Sequence, residues 1–167
     1  MGAGWQAHGD GTWQWADKDH SRLRQTATPR LATALNARIE GTMGSWRCRV
    51  KVAKGTQAAG LVFQASADLK HGFACLLTAK GARLQTLDGK TLWEKPDLKW
   101  AVATEYVLEG RVMTDRVAAR VFAADGKTLL AHSPDIYVPD TNNTRTGRLG
   151  VHVVGGQAEF WGWALAK

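Results

Sequence analysis

Between residues 44 and 87 apolar side chains fall on every second position: Trp46, Cys48, Val50 and Val52, then Leu61 and Phe63, then Phe73, Cys75 and Leu77. A period of two places such residues on one side of a strand, whereas a helix would scatter them around its axis. The stretch predicts three successive strands. Polar connections at 54–57 and 66–72 have the composition that closes hairpins rather than crossing over through helices, so an antiparallel sheet is expected. Arg47, Arg49 and Lys51 take the alternate positions of the first strand. Its second face therefore meets water, an acidic ligand or a polar layer, not a core.

The remainder of the chain repeats this pattern. Trp5, Trp13 and Trp15 surround Gly9-Asp10-Gly11, which reads as a strand pair at a sheet edge. Residues 31–39 suit a short helix or a strand equally. Strands are expected at 81–87, 91–94, 105–113, 116–123 and 128–131. Asp88-Gly89, Thr114-Asp115 and Asp125-Gly126 reverse the chain between them, as in a meander. Residues 132–146 form a long loop with two prolines. Two final strands flank Gly155-Gly156. Roughly ten to twelve short strands and almost no helix predict an all-β fold, a two-sheet antiparallel β-sandwich or jelly roll. With 167 residues, the chain is expected to be one domain spanning 1–167.

The order Ala59-Gly60-Leu61-Val62-Phe63-Gln64, His71-Gly72-Phe73, and Gly147-Arg148-Leu149-Gly150-Val151 ahead of a strand bearing Phe160 resembles the concanavalin A-like lectin/glucanase superfamily. Within it the pattern is similar to laminin-G-like carbohydrate-binding modules of bacterial glycoside hydrolases, fructan-binding modules included, and to the related 3-keto-disaccharide hydrolase domains. The resemblance implies a curved sandwich that binds sugar on its concave face or edge loops. Relatives often carry an arginine just after the apolar strand and a tyrosine after the next glycine. Here Gln64 and Phe73 stand there; Gln64 still donates and accepts hydrogen bonds. The only cofactor the resemblance admits is a structural calcium ion, with Asp10, Asp17 and Asp19 near the start and backbone carbonyls near the end as hard oxygen donors, although Gly162 replaces an acidic or amide residue of some relatives.

Sugar recognition needs flat apolar surface for the C–H face of the ring and planar polar groups for its hydroxyls. Of eight tryptophans, Trp13, Trp46 and Trp163 fall in phase with the core. Trp93 and Trp100 flank a proline loop, and Trp161 lies out of phase with Phe160; these three are the stacking candidates, with coverage of the sandwich edge as the alternative. Arg47, Arg49, Glu109 and Arg111 alternate on two strands able to share a face, as ligands for hydroxyls or carboxylates, or as cross-strand ion pairs on a solvated surface. His71, Asp135 and Tyr137 lie in the polar connections suited to frame a pocket.

Basic residues outnumber acidic ones, 22 to 15, but stand singly along the chain, which argues against a nucleic-acid partner. No apolar run nears the roughly 20 residues of a membrane span. Cys48 and Cys75 are buried thiols, or a disulfide if their strands are neighbours. Nucleophile elbow, HExxH, phosphate-loop and dinucleotide motifs are absent, and no facing carboxylate pair of the glycosidase kind stands out. The expected function is non-catalytic carbohydrate binding outside the cytoplasm, extracellular or periplasmic, beside a fused or neighbouring catalytic domain. The alternatives are a hydrolase or lyase acting on 3-keto-glycosides and a laminin-G-type protein-interaction domain.

Overall fold

A computed structural model describes residues 4–138 and 146–166. Its strands, in chain order, are β1 (Trp5–Gly9), β2 (Trp13–Trp15), β3 (Leu23–Gln25), β4 (Ala32–Gly41), β5 (Gly44–Val52), β6 (Ala58–Ala65), β7 (Phe73–Thr78) and β8 (Gly81–Thr86). There follow β9 (Thr91–Lys95), β10 (Glu105–Val112), β11 (Arg116–Ala123), β12 (Leu129–His132), β13 (Ile136–Tyr137), β14 (Gly147–Val154) and β15 (Ala158–Ala166). No helix occurs among the described residues, and the ambiguous segment 31–39 is β4.

The strands build two antiparallel sheets. One runs β1-β4-β14-β6-β7-β8-β9; the other runs β12-β11-β10-β5-β15-β3-β2, with β13 beside β11. This is the all-β sandwich expected from the alternation. Trp46, Cys48 and Val50 of β5 are fully buried, as are Leu61 and Phe63 of β6, and Cys75 and Leu77 of β7. These inward side chains from both sheets share one core cluster. Phe63 needs a gap in the facing sheet, which Gly110 of β10 supplies. A Cβ there would lie 2.6 Å from Phe63 Cζ and closer still to Cδ1 and Cε1.

Several connections differ from the expectation. Segment 54–57 closes no hairpin: β5 pairs with β10 and β15, and the chain crosses to β6 in the other sheet. Gly155-Gly156 likewise carries the chain between layers, from β14 to β15. Trp5 and Trp13 lie on β1 and β2, edges of different sheets rather than a strand pair. Sheets stack about 10 Å apart and an extended residue covers about 3.3 Å, so a four-residue link spans a layer gap as readily as it turns a hairpin. Composition cannot separate the two. The reversals at 88–89, 114–115 and 125–126 are hairpins as expected. Within 132–146, β13 pairs with Arg116 and Val117, and residues 139–145 lie outside the described part.

Near its end β15 carries a bulge. Trp161 stands opposite Arg49 and Ala164 opposite Arg47, so Gly162 and Trp163 together face Cys48. Gly162 takes φ +63°, a left-handed conformation that favours glycine. The extra residue leaves Trp161 on the outer side and turns Trp163 to the core, where it meets Trp5 edge-on at 4.8 Å.

Candidate functional site

The alternation that buries one side of β5 and β10 sends Arg47, Arg49, Lys51, Glu105, Glu109 and Arg111 to the outer face of the eight-stranded sheet. Antiparallel register then sets Glu109 directly between Arg47 on β5 and Arg120 on β11. Its carboxylate pairs with Arg47 Nε and, at 3.3 Å, with Arg120 Nη1. Glu109 is only 1% exposed although it points away from the core. The covering groups include the two arginine side chains, which remain 42% and 38% exposed, with Arg47 also lying 5.2 Å from the Phe122 ring centre.

The adjoining row carries Trp161 opposite Arg49. The Arg22 guanidinium sits 4.2 Å from the centre of the Trp161 ring and reaches Glu159 at 3.4 Å; Arg24 binds the same carboxylate. Arg49 pairs with Glu105 and donates to the Ala124 carbonyl at 2.8 Å. Five arginines thus serve three carboxylates on this face. Arg111 is half-buried between Ser45 and Ala118, and its side chain has no hydrogen bond or ion pair among the described residues.

Of the residues singled out from sequence, Arg47, Arg49, Glu109, Arg111 and Trp161 come together here. Arg22, Arg24, Glu105 and Arg120 join them without having been singled out for ligand binding. A signal for Arg120 existed: the hairpin at Thr114-Asp115 fixes the pairing that brings Glu109 opposite it. Arg22 and Arg24 meet Glu159 across more than a hundred residues of chain, a pairing no local pattern encodes.

The other candidates are dispersed. Trp93 on β9 pairs with Leu84 and packs against the core from the sheet edge. Trp100 donates its indole N–H to the Thr78 carbonyl at 2.8 Å, stacks edge-on to Tyr106, and lines a separate groove of about 610 Å3 with Lys80, Pro96 and Asp97. Gln64, at φ +50° beside a bulge with β14, donates to the Thr42 carbonyl at 2.8 Å. His71 is exposed in the β6–β7 turn, and Asp135 and Tyr137 are exposed at the β11–β13 edge.

A calcium ion does not fit the residues proposed for it. Asp10 accepts the Arg30 and Leu31 amides at 3.0 Å, and Asp17 accepts the Ser21 amide and hydroxyl at 2.9 and 2.6 Å. These bonds hold both carboxyls below their usual range and spend their oxygens on turns. No group of three or more acidic, histidine or cysteine side chains gathers among the described residues. Cys48 and Cys75 are both free thiols on facing sheets. Burial, with the Glu109 charge adding to it, pushes Cys75 up to about 12, and burial raises Cys48 as well; neither is poised as a nucleophile.

No family model and no curated protein matches the sequence. Solved structures do match. A carbohydrate-binding module, CBM66, from Bacillus subtilis superposes with a TM-score of 0.73 at 17% identity, over 96% of this chain and 94% of that one. Arcelin-5, a lectin-like defence protein from Phaseolus vulgaris, gives 0.62 at 10% identity, over 96% and 90%. A Bacillus subtilis protein of unknown function with a galectin-like fold gives 0.60 at 11%, over 96% and 87%. The chain shares its fold with these carbohydrate-binding and lectin-like structures.

Proposed function

We propose that this protein binds carbohydrate without transforming it, through the outer face of the eight-stranded sheet. The observation that carries the reading is the Trp161 row: an indole flanked by Arg22 and Arg49, next to the Arg47–Glu109–Arg120 row. Indole surface suits the C–H side of a sugar ring, and planar guanidinium groups donate to paired hydroxyls. Carboxylates hold the arginines in place, so little side-chain freedom is left to lose on binding. The carbohydrate-binding and lectin-like names of the structural neighbours support the same reading.

A non-catalytic role outside the cell, alongside a glycan-degrading catalytic domain, completes the proposal. No helix among the described residues is long and apolar enough to cross a membrane. Affinity electrophoresis against a panel of neutral and acidic polysaccharides tests the proposal. Retardation by at least one glycan, weakened tenfold or more in Trp161→Ala, is expected. Mobility unchanged on every glycan, or retardation unaffected by Trp161→Ala, would refute it.

A further inference from the structure

Resting on the carbohydrate reading of this same face, we infer that its ligand is an acidic glycan, whose carboxylate or sulfate groups are held by Arg47, Arg111 and Arg120. Two of these guanidinium groups, of Arg47 and Arg120, share a single carboxylate, that of Glu109, and Arg111 stands two positions along the same strand. Because Glu109 is buried, what the face presents outward is guanidinium. Each arginine has five N–H donors, of which Glu109 takes Nε of Arg47 and one Nη of Arg120. Among the described residues nothing else takes the remaining donors. Guanidinium geometry matches the two oxygens of a carboxylate or sulfate, and such charged bonds are stronger than those to neutral hydroxyls.

Arg111 adds the directional argument. It is half-buried two positions along β10 from Glu109, beside the short side chains of Ser45 and Ala118, and is unpaired among the described residues. A guanidinium partly withdrawn from water next to two others raises the local potential, which an anion relieves. On the opposite sheet Arg148 pairs with Glu40 at 2.8 Å and Arg83 with Glu94 at 2.6 Å, while Arg38 on β4 has no ion pair among the described residues. Two arginines sharing one carboxylate, with a third two positions along the same strand, are found on the eight-stranded sheet. In the sequence these cations stand singly; strand alternation and cross-strand register collect them.

The test compares polymers that differ only in charge: polygalacturonate against its methyl ester, and dextran sulfate against dextran, by isothermal titration with the full chain. Expected is binding of an acidic polymer, at least tenfold weaker binding of its neutral counterpart, and affinity that falls as salt is added. Arg111→Gln should lower that affinity at least fivefold, and Arg111→Lys less, while Lys70→Gln, in the exposed β6–β7 turn, leaves it unchanged. Circular dichroism melting confirms that the variants fold. Equal binding of esterified and free polymer, failure of both acidic polymers to bind, Arg111→Gln behaving like Lys70→Gln, or duplex DNA bound as tightly as the acidic glycan would each overturn the inference. Neutral glycans bound regardless of Arg111 would remove the anion preference and leave carbohydrate binding standing; no binding to any glycan would remove both.

Discussion

Truncating Glu109 to alanine removes a carboxylate that is 1% exposed and bonded to two arginines. Breaking a fully buried ion pair costs about 3–5 kcal/mol, because the surviving charge is stranded away from water. Here the survivors are not stranded: the Arg47 and Arg120 side chains are 42% and 38% exposed and rehydrate. Each lost bond is then worth about 1 kcal/mol or less. The one buried methylene removed, Cγ, adds about 0.8 kcal/mol. The expected loss for Glu109→Ala is about 3 kcal/mol, or about 6–12 °C in Tm for a chain of this size. Glu109→Leu keeps the volume and should cost only about 1 kcal/mol, as should Glu109→Gln. Urea unfolding followed by tryptophan fluorescence, with calorimetry, measures all three. Glu109→Leu as damaging as Glu109→Ala would show that the two arginines are stranded rather than rehydrated, and would refute the reasoning.

Gly110→Ala forces a methyl group against the Phe63 ring, an overpacking penalty of about 1–3 kcal/mol. Phe63→Leu in the same chain should recover part of that loss in urea melts; strictly additive losses would mean that the two residues do not meet. His152 on β14 lies on the outer side of the seven-stranded sheet, its Nδ1 2.9 Å from the Thr33 hydroxyl, and desolvation lowers its pKa from 6.5 to about 4. The unfolded chain therefore takes up this proton first on acidification. The His152 contribution to stability is complete above about pH 6.5 and is lost progressively as pH falls toward 4. For a half-buried ring the loss is on the order of 2 kcal/mol. His152→Asn should flatten that part of the profile, and identical urea midpoints relative to pH 7 at pH 4.5 in both proteins would contradict it.

The strands themselves were legible because their signal is local. Trp46, Cys48 and Val50 declare a buried side by period alone, and the reversals at 88–89, 114–115 and 125–126 announce hairpins by their turn residues. The same period put Arg47, Arg49, Glu109 and Arg111 on one outer face. Sequence also allowed that face to be a solvated one with cross-strand ion pairs: the 114–115 hairpin sets Arg120 opposite Glu109, but nothing local brings Arg47 to its other side.

Which strands share a sheet was decided only in three dimensions. Links 54–57 and 155–156 change layers with the same lengths and compositions that close hairpins elsewhere, and the link at 10–12 does the same, parting Trp5 from Trp13. The bulge at Gly162 leaves Trp161 outward and Trp163 inward, two positions apart on opposite sides of one strand. Alternation tells each side chain which side of its own strand it occupies. Only the pairing of strands far apart in the chain tells it which neighbours it has there, and the charge surrounding Arg111 is a property of those neighbours.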